Sequence, residues 1–313
     1  MIIDAHMHIH SPKFIAPRMR MAYARAAAYG RWPERDPEEL FPRVTVGISD
    51  PDGTYTIAEM DAHGVDVMVP MIVDHHFNAG EEAEMSFPEV VEHYGALATR
   101  YPGRLHPYIG VDPRRKGGLE LFKRAVRDWG FKGLKFYCGA GFMPYDEVCK
   151  PFYEACMEMN VPVTFHTSPA GAPAISRYAH PINISDIHRT FPDLPVIYAH
   201  AGHGPWWEEC AYLAHGHPLG YLDLSQWPGD ARRDMGSFVK KLARMRDIVG
   251  AHRILWASDF AFGPSTHGDR SPLPHWLKTF RDLPTRGEEF GVEFTQEEVD
   301  LMLGGNAQRL LGL

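Results

Sequence analysis

The amino-acid sequence predicts one (β/α)8 TIM barrel over residues 1–313, with long insertions after strands one and eight. Eight apolar, β-branched segments recur along the chain, and helical patterns lie between most of them. Apolar strands that alternate with helices indicate a parallel sheet covered on both faces. Eight strands exceed what most doubly wound open sheets carry, and no Gly-x-Gly-x-x-Gly motif follows the first segment. We therefore prefer the closed barrel to an open sheet.

Each element is predicted from its local pattern. A strand is a short apolar run bounded by turn residues, whereas a helix repeats its apolar residues roughly every three to four positions. Thr295 and Glu298 form a capping-box pattern at the start of the last helix. The predicted strands are Ile2–His6, Val65–Ile72, Leu105–Val111, Gly133–Tyr137, Val161–His166, Val196–His200, Tyr221–Leu224 and Arg253–Ala257. The predicted helices are Thr54–Ala62, Phe87–Tyr101, Gly118–Trp129, Tyr145–Met159, Ile184–Phe191, Pro205–His215, Met235–Val249 and Thr295–Leu310.

Two long segments interrupt this alternation. Ile9–Gly53 follows the first strand, and Phe260–Phe294 follows the last. Both leave the barrel at the carboxyl ends of strands, the face on which barrel active sites are built. Within the first, Met19–Tyr29 is expected to be a helix with an apolar face that needs cover. We expect this insertion to form a lid over the pocket or a contact with a neighbouring subunit; the alternative is a surface helix with solvated arginines.

Composition argues against several classes of function. The net charge of −8 disfavours a nucleic-acid partner, but it allows a small anionic substrate because local fields need not follow net charge. The four cysteines include no Cys-x-x-Cys pair, which indicates reduced thiols rather than a zinc–cysteine site or a disulfide framework. No apolar run is long enough to span a membrane, and no signal peptide precedes the first strand. A cytoplasmic protein without a membrane partner is therefore expected.

The first strand carries a candidate metal-binding motif. Side chains two residues apart on a strand point to the same face, so Asp4, His6 and His8 share one face. The two imidazoles are then roughly 7 Å apart along the strand and can reach one divalent ion. Asp4 either orients an imidazole or accepts hydrogen bonds from backbone N–H groups. Chance alone gives about one His-x-His pair. The chain holds three: His6/His8, His8/His10 and His215/His217.

Three more chemically competent side chains end other strands. His166 ends strand five, His200 ends strand six and Asp259 ends strand eight. Because the carboxyl ends of barrel strands converge on one rim, these residues can meet His6 and His8 around one ion. Imidazoles and a carboxylate suit zinc, manganese, iron or nickel. Taken singly, each residue has a simpler explanation, as a core histidine, a hydrogen-bonding histidine or a helix cap. Their joint placement at strand ends favours a metal site.

These motifs resemble the amidohydrolase superfamily. The similarity rests on Asp-Ala-His-x-His at residues 4–8, Phe-His-Thr at 165–167, Ala-His-Ala-Gly-His-Gly at 199–204 and Ala-Ser-Asp-Phe at 257–260. Residues 133–136 and 304–313 also match, so the resemblance covers the whole chain. More narrowly, the chain is similar to the branch that contains aminocarboxymuconate-semialdehyde decarboxylase and the hydroxybenzoate decarboxylases.

The resemblance implies a ligand set and a proton-transfer residue. A single divalent ion, zinc or alternatively manganese, would be bound by His6, His8, His166 and Asp259. His200 would be the acid/base residue, with Asp259 as a second proton shuttle. These assignments are implied by the family pattern and not by spacing.

Several positively charged or histidine side chains are candidate substrate contacts. Lys135 stands on strand four, where other branches of the superfamily place a carboxylated lysine between two metals. Because the resembled branch is mononuclear, Lys135 is expected to be structural or to face the substrate. An arginine that grips a second carboxylate would suit an acidic substrate. The other candidates are His203, Arg18, Arg20 and Arg25.

Decarboxylation and hydrolysis both fit such a site. In decarboxylation of a small aromatic or unsaturated carboxylic acid, a histidine delivers a proton to the carbon that loses carbon dioxide. In hydrolysis of a lactone, ester or amide, the metal lowers the pKa of its water toward about 7, and hydration of an unsaturated acid is a variant. The resembled branch is enriched in decarboxylases, so we expect a decarboxylase that acts on a small carboxylate and forms a homodimer. A metal-binding scaffold without turnover is the non-enzymatic alternative.

Overall fold

The computed structural model describes residues 1–30 and 32–313; Arg31, within the first predicted insertion, lies outside these ranges. Strands and helices alternate along the described chain as the sequence predicts, and every residue of the eight strands found there is buried. The strands are β1 (Ile3–Met7), β2 (Val67–Pro70), β3 (Tyr108–Ile109), β4 (Gly133–Phe136), β5 (Val163–His166), β6 (Val196–Ala199), β7 (Gly220–Asp223) and β8 (Ile254–Leu255).

The strands pair in parallel and close into the predicted barrel. β1 pairs with β2, and β3 to β8 pair with one another in chain order. Single bridges at Met68–Leu105 and Met71–Tyr108 join β2 to the region of β3. On the other side, Ala5 N donates a hydrogen bond of 3.1 Å to Trp256 O, just beyond the end of β8. The ring of strands is therefore continuous, although β3 and β8 are shorter than their predicted segments.

A glycine makes the close contact between β2 and β3 possible. Asp74 N donates a hydrogen bond of 2.7 Å to Gly110 O. This bond joins the segments that follow β2 and β3. A Cβ atom at residue 110 would lie 1.8 Å from Ile72 O, a distance that no real side chain tolerates. Since the φ angle of Gly110 is ordinary, the requirement for glycine here is one of space.

Helices cover the outside of the barrel and form parts of both insertions. The predicted capping box is confirmed, since Glu298 N donates to Thr295 Oγ1 at 3.1 Å. The last predicted helix contains a π-helical turn, Leu301–Gly305, between two α-helices. Within the described ranges, no helix combines the length and apolar character that crossing a membrane requires. The α-helices are α1 (Pro17–Tyr29), α2 (Pro37–Leu40), α3 (Thr54–His63), α4 (His76–Ala79), α5 (Phe87–Arg100), α6 (Gly118–Trp129), α7 (Lys150–Glu158), α8 (Ser185–Thr190), α9 (Trp207–His215), α10 (Pro228–Arg233), α11 (Met235–Val249), α12 (Leu273–Arg281), α13 (Leu283–Arg286), α14 (Gln296–Asp300) and α15 (Asn306–Leu311).

The two insertions contact each other on the carboxyl side of the barrel. In the first, α1 buries Met19, Ala24 and Ala28, which confirms the expected apolar face. The second contains α12, a buried amphipathic helix that the sequence analysis did not predict. Ser265 N donates a hydrogen bond of 2.7 Å to Gly47 O and so links the second insertion to the first. The two insertions are therefore joined to each other by the main chain.

We predict that Gly110→Ala lowers the free energy of unfolding by about 1–3 kcal/mol, because the added methyl group must push the β2 backbone away. Gly171→Ala is the matched control, since a Cβ there meets nothing within 4 Å and the φ angle is ordinary. That control should change stability little. Urea unfolding followed by circular dichroism measures both variants. Equal stability of the two variants would contradict the role assigned to Gly110 in closing the barrel.

Candidate active site

Three metal-competent side chains converge where β1 meets the end of β8. His6, His8 and Asp259 each offer a ligand atom, and these atoms all lie within 4.8 Å of one another. Asp259 Oδ1 lies 3.5 Å from His6 Nε2 and 3.2 Å from His8 Nε2. The alternation of side chains along β1 places both imidazoles on the same face, as the sequence predicts. The structure thus brings together three of the four predicted ligands.

Backbone and carboxylate contacts fix Asp259 beside the histidines. Asp259 N and Ser258 N donate to His6 O at 2.8 and 3.2 Å. Asp4 accepts hydrogen bonds from Ser258 N at 3.0 Å, from Ser258 Oγ at 2.5 Å and from His6 N at 3.2 Å. Of the two roles considered for Asp4, the structure therefore supports the acceptor of backbone N–H groups. Asp4 holds the chain that carries Asp259 and does not contact an imidazole directly.

The Nδ1 atoms of His6 and His8 are both hydrogen-bonded to other parts of the barrel. His6 Nδ1 lies 2.7 Å from Asp223 Oδ2, and His8 Nδ1 lies 2.8 Å from Met71 O. Because a carboxylate and a carbonyl only accept, both Nδ1 atoms carry a proton, and in the neutral imidazole Nε2 is then the nitrogen with the lone pair that a metal binds. His6 Nε2 is buried and has no hydrogen-bond partner among the described residues. A divalent ion fits this arrangement, since metal-bound histidines almost always donate their other N–H to such acceptors.

His166 and His200 lie beside this cluster but bond to each other. His200 Nε2 is 2.9 Å from His166 Nδ1, and His166 Nε2 is 3.2 Å from Ser168 Oγ. His166 therefore shares the pocket with the three clustered residues without joining their group, and its role as a fourth ligand stays a prediction. His200 adopts a left-handed backbone, with φ of 67°. Its carbonyl accepts a hydrogen bond of 2.8 Å from Trp227 Nε1, which holds this conformation.

Burial sets the charge states of these groups. Burial lowers the pKa of His166 to about 3 and lowers the pKa of His200 well below its ordinary value. Both imidazoles are therefore neutral at pH 7, and a neutral imidazole is the form that binds a metal. Burial opposes ionisation of Asp259, but the neighbouring imidazoles of His200, His8 and His6 hold its pKa well below the ordinary value. Asp259 is thus a carboxylate at pH 7, beside the neutral imidazoles of His166 and His200.

A cavity of about 440 Å³ opens above these residues. Its base is formed by strand ends and includes His6, His166, His200 and Asp259. One side comes from the first insertion, which fits the expected lid and supplies Ile9, Phe14, Ile15, Tyr23, Val44 and Ile48. Most of the wall is apolar or aromatic, and His10 and His75 also line it.

Lys135 supplies the cationic group of the pocket. It is the one lysine or arginine among the described residues that line the cavity. The residue is 2% exposed, and Nζ has no hydrogen-bond partner within the described structure. Burial lowers the pKa of Lys135 to about 8, so the ammonium is still mostly charged at pH 7. An unpaired buried cation at the floor of a pocket suits an anionic ligand.

None of the other candidate contacts is among the residues that line the cavity. Arg18 and Arg25 are exposed on α1, and Arg20 stacks over the Phe41 ring at 4.8 Å. Arg20 is half-buried, and its Nε has no hydrogen-bond partner among the described residues. His203 Nε2 lies 3.1 Å from Asp230 Oδ2 outside the cavity. Its position in the motif next to His200 therefore does not bring it to the site.

The sequence analysis missed the residues that β7 contributes. Asp223 is the last residue of β7, and Ser225 and Gln226 follow it. Asp223 bonds to His6, Ser225 lies between His6 and His200, and Gln226 lines the cavity. Asp223, like Asp259, lies at the carboxyl end of a barrel strand, so the convergence of strand ends on one rim would have predicted it as well. No motif signal marks Ser225 or Gln226.

Comparison with known proteins supports an enzyme fold of this kind. The family model described as Amidohydrolase matches residues 3–313. No curated protein matches the chain. Among solved structures, the chain is similar to the uncharacterized TIM-barrel protein Bb4693 from Bordetella bronchiseptica. The TM-score is 0.66 and the identity 20%, over 99% of this chain and 98% of that chain.

Two similar structures are named enzymes. One is 5-carboxyvanillate decarboxylase from Novosphingobium aromaticivorans, solved with manganese and 3-methoxy-4-hydroxy-5-nitrobenzoic acid. Its TM-score is 0.65 and its identity 14%, over 100% of this chain and 97% of that chain. The other is 4-oxalomesaconate hydratase from Rhodopseudomonas palustris, with a TM-score of 0.59 and 17% identity, over 100% of this chain and 96% of that chain. At such identities the likeness establishes the fold and not the reaction.

We predict that Asp223→Asn weakens zinc binding by roughly 10–100-fold, because the carboxylate that fixes the His6 tautomer and raises its basicity is lost. Asp230→Asn is the matched control: this carboxylate also bonds a histidine, but outside the cavity. Competition with a chromogenic chelator measures both affinities. Unchanged affinity in Asp223→Asn would show that His6 does not bind the metal through Nε2.

Proposed function

Since the chain belongs to the amidohydrolase family, we propose that it is a metal-dependent lyase that decarboxylates a small aromatic or unsaturated carboxylic acid. The observation that carries this proposal is the composition of the pocket. A carboxylate-and-imidazole cluster and a single lysine lie at the base, under walls that are mostly apolar or aromatic. Such a pocket suits a flat, largely apolar molecule with one carboxylate.

The charge of the pocket limits the substrate. A second or third carboxylate would need a second cation or several donors, because an unpaired charge in a buried pocket is costly. Among the described lining residues there is no arginine, and Lys135 is the one lysine. If the metal and Lys135 both bind the same carboxylate, no lysine or arginine of the described lining is left for a second one, and this favours a monocarboxylate. The aromatic side chains Phe14, Tyr23, Tyr94 and Tyr137 line the space that the ring of such an acid would fill.

The metal in this proposal is one divalent ion, zinc or alternatively manganese, held by His6, His8 and Asp259 with His166 as a fourth ligand. When bound, it would supply a Lewis acid for the substrate carboxylate and an adjacent hydroxyl or carbonyl oxygen. Lys135 would pair with the same carboxylate from the floor of the pocket. These contacts would fix the carbon that bears the carboxylate next to His200.

We assign proton transfer to His200, with Asp259 as a second shuttle. The bond between the carboxylate and its carbon breaks, carbon dioxide leaves, and the electron pair stays on the carbon, which takes up a proton. His200 is neutral in the free protein, but an anionic substrate beside it raises the pKa of the imidazole and lets it hold that proton. The apolar walls favour the neutral product, carbon dioxide.

Hydrolysis is the second candidate, and the family's name and the hydratase among the similar structures favour keeping it. A lactone, ester or amide carbonyl, or the double bond of an unsaturated acid, would occupy the same position above the cluster. The same side chains would then activate water and move its proton. The two functions differ in their products, so experiment separates them.

The test is a product analysis of zinc-loaded and manganese-loaded protein. Hydroxybenzoates, unsaturated semialdehyde acids and cyclic lactones are offered in turn, and absorbance and carbon dioxide are followed. We expect release of carbon dioxide and, in deuterium oxide, one deuterium on the carbon that lost the carboxylate. His6→Ala is the control for contaminating activity. Cleavage of a lactone without carbon dioxide would replace the proposal with hydrolysis, and no turnover of any class would contradict both.

We predict that Lys135→Met raises KM for the carboxylate substrate by roughly 10–100-fold, the equivalent of about 1.5–3 kcal/mol for a hydrogen bond to a charged group. Lys150, a half-buried lysine paired with Glu147 outside the cavity, is the control, and Lys150→Met should leave KM unchanged. Steady-state kinetics and metal analysis are run on both variants. Loss of the metal in Lys135→Met would instead place Lys135 among the groups that hold it.

A further inference from the structure

The turn after β7 connects the metal cluster to the proton-transfer histidine. Asp223 Oδ1 accepts a hydrogen bond of 2.7 Å from Ser225 N, while Asp223 Oδ2 lies 2.7 Å from His6 Nδ1. Gln226 has a left-handed backbone, with φ of 71°. A residue other than glycine keeps this conformation only where the surroundings impose it. The turn is therefore held in one shape.

That shape places the Ser225 hydroxyl between two imidazoles. Ser225 Oγ lies 3.1 Å from His6 Nδ1 and 2.8 Å from His200 Nδ1, and the residue has no exposed surface. A hydroxyl has one proton to donate and two lone pairs to accept with. Which histidine receives the proton is decided by the other contacts of the two rings.

The carboxylate of Asp223 removes the ambiguity. It only accepts, so His6 must carry its proton on Nδ1. The Ser225 hydroxyl cannot donate to a nitrogen that already bears a proton, so its O–H points to the remaining acceptor, His200 Nδ1. A neutral imidazole carries one N–H, and that of His200 is therefore on Nε2.

The rest of the chain of contacts agrees with this assignment. On the side of the ring away from Ser225, His200 Nε2 lies 2.9 Å from His166 Nδ1. The opposite assignment would place a proton on His200 Nδ1 and leave the Ser225 hydroxyl without an acceptor at either imidazole.

We propose that Ser225 is a positioning residue that holds the ring of His200 with Nδ1 toward the turn and its N–H on Nε2, the side of His166. The proposal rests on the proposed function only in giving His200 the proton transfer. Without the Ser225 hydroxyl, nothing at Nδ1 opposes rotation of the ring about χ2, because the bond from Trp227 Nε1 reaches the backbone carbonyl and not the ring. A misdirected N–H costs rate but leaves the metal cluster in place.

The first test needs no variant. Zinc-loaded protein with ¹⁵N-labelled histidine rings is measured by long-range ¹H–¹⁵N NMR, and the His200 signals are identified by their loss in His200→Gln. We expect an unprotonated, hydrogen-bonded Nδ1 and a protonated Nε2 at neutral pH. A proton on Nδ1 of His200 would overturn the proposal. This result does not depend on which reaction the enzyme performs.

The second test removes the hydroxyl. Ser225→Ala should move the His200 Nδ1 signal toward that of a nitrogen without a hydrogen bond and lower kcat by roughly 10–100-fold, with zinc content retained. Ser225→Thr, which keeps a hydroxyl, should restore the signal and most of kcat. Ser168→Ala is the matched control and should leave the His200 Nδ1 signal unchanged. An unchanged signal or an unchanged kcat in Ser225→Ala would overturn the positioning role.

Discussion

The hydrogen bonds between β1 and the chain that follows β8 are the contacts on which the site depends. His6 O accepts from both Ser258 N and Asp259 N, and Asp4 clamps Ser258 from the same strand. Residues 251 positions apart, His8 and Asp259, are thereby brought to 3.2 Å. Closing the barrel thus also brings the three candidate metal ligands together. This explains why the cluster contains residues from the first and last strands.

The cluster is held in place before any ion arrives. The Nδ1 atoms of His6 and His8 are fixed by Asp223 and by Met71 O, so both rings present Nε2 to the same point. The backbone is strained at two residues of the site, His200 and Asp259, whose φ angles are 67° and 60°. Such strain costs roughly 1–3 kcal/mol each and persists where other contacts enforce it. The hydrogen bonds from Trp227 Nε1 to His200 O and from Asp259 N to His6 O hold these two conformations.

Most of the site could be predicted from one rule, that the carboxyl ends of barrel strands meet on one rim. Periodicity located the eight strands, and the ends of β1, β5, β6 and β8 gave His6, His8, His166, His200 and Asp259 as neighbours. The rule does not locate side chains that belong to helices and turns outside the strands. Amphipathicity shows that α1 has an apolar face, but it does not say whether the arginines opposite face a pocket or solvent. Contacts such as Ser225 with two imidazoles, or His203 with Asp230, depend on turn geometry that one sequence does not encode visibly.

The central claim is that one divalent ion binds where β1 meets the end of β8, above a lysine that stays unmodified. Anomalous diffraction from crystals of manganese-loaded protein tests it most directly. The account predicts one anomalous peak per chain, in contact with Nε2 of His6, Nε2 of His8 and the carboxylate of Asp259, while His6 Nδ1 remains bonded to Asp223. Two peaks bridged by a modified Lys135, or one peak away from His6 and His8, would contradict it.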